Sequence, residues 1–155
     1  MRVRWVAACF AITVFLGAVV SSAQSSSGDQ AEPFSMDVAE RLMRQVRDGL
    51  VTQNPGRLLA AFDSDSTPDY NTFAGQVTSF FGTWENVRVH YSIAQANAVS
   101  CASACGLATV QFQMEADNID SGLPPMRRGA QLQLTFQRGS KGWKIVNLTP
   151  RSLFR

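Results

Sequence analysis

Between residues 129 and 149, apolar and polar side chains alternate with a period of two. Ala130, Leu132, Leu134 and Phe136 interleave with Gln131, Gln133, Thr135 and Gln137. A strand sends successive side chains to opposite faces, so this spacing predicts one core face and one amide face. Gly139-Ser140-Lys141-Gly142 tolerates the positive φ of a reversal, and Trp143 to Leu148 then returns as the second strand of a hairpin. Strict alternation puts Trp143, Ile145 and Asn147 on one face of that return and Lys144, Val146 and Leu148 on the other. Apolar residues on both faces predict an inner strand, or an edge that meets a partner chain. Pro150 has no N–H and ends the ladder.

The same period governs Val87, Val89, Tyr91 and Ile93 against Arg88, His90 and Ser92, with the strand continuing past Ala94 towards Val99. It recurs in Val110, Phe112 and Met114 against Gln111, Gln113 and Glu115. These runs predict two further strands that reverse around Cys101 and Cys105, whose local pairing as a disulfide would pin the hairpin end. Glu115 and Asp117 are placed to face Arg127 and Arg128 across two strands as solvated pairs.

Upstream the period changes to that of helices. Ser35 can cap a helix from Met36 to about Thr52, with Ala39, Leu42, Met43, Val46 and Leu50 on one stripe. Gly49 weakens its last turns by roughly 1 kcal/mol relative to alanine and fits a helix nearing its end. Asn54-Pro55 starts a second, short helix through Phe62, which stops at Asp63-Ser64-Asp65-Ser66. Thr67-Pro68-Asp69 is a third start signal. Tyr70, Phe73, Ala74, Val77, Phe80, Phe81 and Trp84 then recur at helical steps. Core packing is the ordinary use of such an aromatic face, and a stacking platform for a ligand is the sharper one.

The first residues change the picture of where the domain works. Arg2 and Arg4, the apolar run Trp5 to Val20 and the small residues Ser21-Ser22-Ala23 read as a secretory signal over residues 1–23. A membrane anchor is the competing reading, but the run falls short of the ~20 residues needed to span a bilayer. The expected product is exported, periplasmic or extracellular, with no membrane attachment after cleavage. Residues 24–34 read as a Ser-rich disordered linker, 35–150 as one domain and 151–155 as a tail. Fourteen Lys and Arg against twelve Asp and Glu leave a formal charge of +2, and losing Arg2 and Arg4 brings it to zero (14 − 2 − 12). A neutral chain without a basic run argues against nucleic-acid binding. An exported setting favours the Cys101–Cys105 disulfide. No metal-ligand pattern and no cofactor motif is recognisable in the sequence, and neither is expected.

Three helices followed by a four-stranded antiparallel meander, with NPGRLLAAFDSD after the first helix, FAGQVTSFF in the third and GWKIVNL in the last strand, resemble the nuclear-transport-factor-2-like (SnoaL-like) superfamily. The likeness covers about Met36 to Thr149. It implies an α+β fold: three N-terminal helices packed on a curved four-stranded antiparallel sheet, forming a cone with an apolar cavity. Many relatives have a strand pair between the second and third helices, and none is evident here. The superfamily includes isomerases, dehydratases, cyclases and non-catalytic binding domains, so it implies fold more strongly than activity.

Enzymatic relatives carry an Asp or His, often with Tyr, inside the cone. The candidates that correspond are Asp63, Asp65, Tyr70, Tyr91 and His90. Strand alternation puts His90 on the outer face beside Arg88, and carboxylates in a Ser-rich loop ordinarily bond local backbone. The expected pocket lining is Phe73, Val77, Phe80, Phe81 and Trp84 from the third helix, with Tyr91, Phe112, Leu134, Phe136 and Asn147 from the sheet. Asn147-Leu148-Thr149 also matches a glycosylation sequon, inside a strand. The leading functional expectation is a non-catalytic domain that holds a small apolar ligand in the cone, or forms a homodimer through its outer, glutamine-rich sheet face. The alternative is a small lyase or isomerase using Asp63 or Asp65 as base with Tyr70 or Tyr91 as proton donor.

Overall fold

A computed structural model describes residues 32–154 except Ser103 and Ser121. The expected signal segment and residues 24–31 of the expected linker lie outside the described residues. Three helices come first: α1 (Met36–Val51), α2 (Pro55–Leu59) and α3 (Tyr70–Phe81). Four strands follow, β1 (Trp84–Val99), β2 (Cys105–Asn118), β3 (Met126–Gly139) and β4 (Gly142–Thr149), then a short 3-10 turn over Arg151–Phe154. The strands form one antiparallel sheet in the order β1-β2-β3-β4.

Local chemistry accounts for most boundaries. Ser35 Oγ accepts from the Val38 N–H at 3.4 Å, and Asn54 Oδ1 accepts from the Arg57 N–H at 2.9 Å, so both expected caps satisfy otherwise unpaired first-turn donors. Helix α1 buries Val38, Leu42, Met43, Val46 and Leu50 in the same core as the inner face of the sheet. Cys101 and Cys105 are joined across the β1–β2 reversal with their Cα atoms 6.1 Å apart. Closing so short a loop removes on the order of 2 kcal/mol of unfolded-chain freedom.

Several expectations need correction. Helix α3 stops at Phe81, and Trp84 opens β1 instead of continuing the aromatic helix face. Gly82 caps the helix, and Asn86 takes a left-handed φ of 51° within a register shift that re-aims the strand. Helix α2 is shorter than expected because its continuation pairs with the sheet. Ala61 O accepts from the Ile145 N–H at 2.9 Å and the Asp63 N–H donates to Ile145 O at 3.0 Å, a parallel bridge between Phe62 and Ile145. That bridge covers the free edge of β4 at Ile145.

Strict alternation also fails within β4. Phe136 faces Ile145 but Thr135 faces Asn147, so Val146 is an extra residue and the parity inverts after it. Leu148, opposite Leu134, joins the core, and Asn147 leaves it for the outer side with Thr135.

Both ends of the domain extend further than the composition suggested. Phe34, expected in the linker, is buried with its ring centroid 4.9 Å from Phe136 and 5.2 Å from Trp143. The Glu32 carbonyl accepts from Trp143 Nε1 at 2.8 Å and from Arg138 Nη1 at 3.1 Å. In the expected tail, Leu153 and Phe154 are buried in the same core.

Candidate functional site

The core-facing side of the sheet, where a cavity was expected, is occupied by rings. Phe73, Phe112, Leu134 and Phe136 are fully buried in one cluster with Val77 and Phe80. Phe62 packs on Phe73 at 4.8 Å between centroids, and Phe154 meets Phe73 at 5.7 Å and Phe80 at 6.0 Å. Phe34, Phe62 and Phe154, none of them in the expected lining, therefore fill the interior that Phe73, Val77, Phe112, Leu134 and Phe136 were expected to leave open. Phe81 and Trp84 are half-buried at its margin. Asn147 does not join this set. The extra residue in β4 turns it outward, where its Oδ1 lies 3.5 Å from Arg151 Nη2.

The loop carboxylates come together with one phenol. Asp63, Asp65 and Tyr70 line an open groove of about 520 Å³ between the α2–α3 connection and the β3–β4 turn, with Lys141 and Lys144 on the opposite wall. Asp63 is held by its own loop: Oδ1 accepts from the Asp65 N–H at 2.9 Å and the Ser66 N–H at 3.1 Å. Asp65 is exposed, and its Oδ1 accepts from Ser64 Oγ at 3.2 Å. Lys144 Nζ donates to the Ala60 carbonyl. The two carboxylates thus bond within their own turn.

Tyr91 and His90 part company, as neighbours on a strand must. His90 is exposed on the outer face. Tyr91 turns towards α1 and donates its hydroxyl to Glu40 Oε2 at 3.1 Å. Burial is the main cause that pushes the phenol above its ordinary value, reinforced by the charge and hydrogen bond of Glu40 and opposed by Arg44 and Arg47. A raised native value means that the folded chain keeps the proton at a pH where the unfolded chain has lost it. The contact therefore contributes fully below about pH 10 and is lost as pH climbs above that. Tyr91→Phe is expected to cost about 1 kcal/mol at neutral pH and to flatten the alkaline fall in stability. Urea denaturation at neutral pH and at rising alkaline pH measures both; parallel losses in the two proteins would contradict this.

A second groove, of about 530 Å³, opens between α3, the first residues of β1 and β3, and the C-terminal turn. Phe80 and Trp84, both expected as lining, lie here beside Phe154. Sequence reasoning missed two polar residues in it. Gln76 Oε1 is buried with no hydrogen-bond partner. Arg128 Nη1 donates to the Leu153 carbonyl at 2.7 Å and the Ser152 carbonyl at 3.3 Å. The expected acid–base cluster forms without Arg128: Arg127 reaches Glu115 at 3.1 Å, while Arg88 reaches Glu115 at 3.5 Å and Asp117 at 3.4 Å. The signal for Arg128 was present, because the parity that puts Ala130 and Leu132 on the core-facing side puts Arg128 there too.

No family model matches the chain, and no curated protein is matched. Solved structures do match. A nuclear transport factor 2-like superfamily protein from Salmonella enterica serovar Typhimurium is 13% identical over 72% of this chain and 88% of its own, with a TM-score of 0.59. A ketosteroid isomerase-like protein from Erwinia carotovora atroseptica is 14% identical over 72% and 91%, with a TM-score of 0.57. A candidate scytalone dehydratase from Novosphingobium aromaticivorans is 15% identical over 73% and 80%, with a TM-score of 0.59. The fold is therefore NTF2-like, an architecture that hosts isomerases, dehydratases and uncharacterised proteins alike.

Proposed function

We propose that this chain is an exported, non-catalytic NTF2-like domain that works by pairing with a second copy of itself through the outer face of its sheet. The observation that carries this reading is the chemistry of that face. Thr109, Gln111 and Gln113 of β2 lie opposite Gln133, Gln131 and Gly129 of β3, flanked by Ser92 and Gln95 of β1. Carboxamides and hydroxyls both donate and accept, so each can meet its own copy across a two-fold axis, which Lys or Glu cannot do without opposing like charges. The charges at one end of the face, on Arg88, Glu115, Asp117 and Arg127, already compensate one another.

Size is adequate. Strands β2 and β3 are 14 residues each and β4 is 8, about 45 Å and about 26 Å long, and at a spacing of about 4.8 Å the four strands give a footprint of about 550 Å² in projection. A standard interface removes about 800 Å² per partner, and pleating and side chains add to a projected area. Export draws support from the leader-like first residues and from the disulfide. A lyase or isomerase built on Asp63 or Asp65 with Tyr70 or Tyr91 has one observation in its favour, the groove that Asp63, Asp65 and Tyr70 share. Against it, Asp63 is committed to a turn and the Tyr91 hydroxyl is engaged as a hydrogen-bond donor to Glu40.

Sedimentation velocity tests the pairing. The expected result is a dimer at micromolar concentration that the exposed double substitution Gln111→Glu with Gln133→Glu converts to monomer, since it sets like charges against each other. A wild-type monomer, or a dimer indifferent to the substitutions, overturns the proposal.

A further inference from the structure

We infer that the free edge of β1 beside α1 is a docking site for an extended acidic peptide of a partner protein, which adds a strand to the sheet there. Strand order puts β1 at one margin. Its ladder with β2 uses one side of the main chain, and among the described residues Arg88 to Ile93, which keep an unbroken register, make no other backbone hydrogen bond. Alternate residues of this stretch therefore turn an N–H and a C=O away from the sheet, the template that strand addition uses. The opposite margin differs, because the Phe62 bridge takes the β4 edge at Ile145.

A groove of about 420 Å³ runs along the β1 edge, lined by Glu40 and Arg47 of α1 and by Val89, His90 and Tyr91. His90 faces outward and Tyr91 faces α1, and neighbours on opposite faces line one groove only where it passes the edge of their strand. Its charge is unbalanced. Arg41 is paired with Glu32 at 2.9 Å and Arg57 with Asp48 at 3.0 Å, whereas Arg44 and Arg47 are exposed and, among the described residues, in no ion pair or hydrogen bond. Glu40, Arg44 and Arg47, four and three residues apart, form one stripe of the helix, and both arginines lie close enough to Tyr91 to oppose the rise of its pKa. Glu40 already holds the Tyr91 hydroxyl.

The spacing selects the partner. Residues three apart on a helix have Cβ atoms about 5–6 Å apart, and side chains two apart on a strand are separated by about 6.6 Å. Carboxylates at every second position of an added strand therefore meet Arg44 and Arg47, while its main chain bonds to β1. The added strand extends the sheet at its margin, so docking is separate from pairing through the outer face.

Fluorescence anisotropy of the full chain with a labelled heptapeptide of alternating threonine and glutamate tests this. The peptide is expected to bind, and its threonine–glutamine counterpart to bind at least about tenfold more weakly. N-methylation of one alternate set of peptide nitrogens is expected to abolish binding and of the other set to leave it, because only one side of an added strand faces β1. Arg44→Gln with Arg47→Gln is expected to remove the preference for glutamate over glutamine at an unchanged melting temperature, a split that loss of folding would not produce. Hydrogen exchange should slow at alternate amides from Arg88 to Ile93 and not in β4. No binding of the acidic peptide at about 1 mM, equal binding of the two N-methylated peptides, displacement of the peptide by a heparin fragment at equal concentration, or a glutamate preference that survives the double substitution overturns the inference.

Discussion

Gly49→Ala is expected to destabilise the domain by about 3 kcal/mol, although helix propensity alone predicts a gain of about 1 kcal/mol. The reason is a close approach of two helices. A Cβ on Gly49 would lie 2.5 Å from the Leu58 backbone nitrogen and 2.7 Å from its Cα. Neither atom can swing aside as a side chain would, so α1 and α2 would have to separate. Separation would disturb Leu50 and Leu58, both fully buried, and the β4 bridge that follows α2. A fall in melting temperature of about 10 °C corresponds to that cost for a domain of this size. Gly75→Ala is the internal control: also within a helix but facing open space, it should gain the propensity term. If both substitutions raise the melting temperature, the close approach is not a real constraint.

The second large effect concerns the segment before α1. Phe34→Ala should cost about 3–5 kcal/mol, the range for removing a buried aromatic ring. It strips the ring packed on Phe136 and Trp143, and loosens the Glu32 carbonyl from its Trp143 and Arg138 donors. Gly106 in β2 takes part in the same contact, because a Cβ there would lie 2.3 Å from Phe34 Cγ and 2.4 Å from its two Cδ atoms. Gly106→Ala should therefore be nearly as damaging in the wild type and nearly harmless once Phe34 has been replaced. A double-mutant cycle by chemical denaturation should return a coupling of about 2 kcal/mol or more. Additive losses would mean that the ring and the glycine act independently, and would remove the segment from the account of the core.

The candidate sites divide along the same line. Asp63, Asp65 and Tyr70 could be picked out by residue type, yet only the β3–β4 turn folding back beside their loop puts them in one groove. Phe80 and Trp84 were recognisable as aromatic, but a groove forms beside them because Leu153 and Phe154, past the last strand, fold back onto α3. Gln76 looks like any polar helix residue, and its unpaired oxygen exists only because neighbouring elements cover it.

What the amino-acid order determined by itself is local: the caps at Ser35 and Asn54, the helical stripe of α1, and the period-two runs that became β1 to β4 with their amide and apolar faces. Those follow from backbone geometry and from the free energy of burying one face, which act over a few residues. The inverted parity after Val146, the meeting of Gly49 with Leu58, and the ring of Phe34 seated on Gly106 were decided by tertiary packing. Each depends on atoms far apart in the chain that must share one volume at close-packed density, and no local period carries that information.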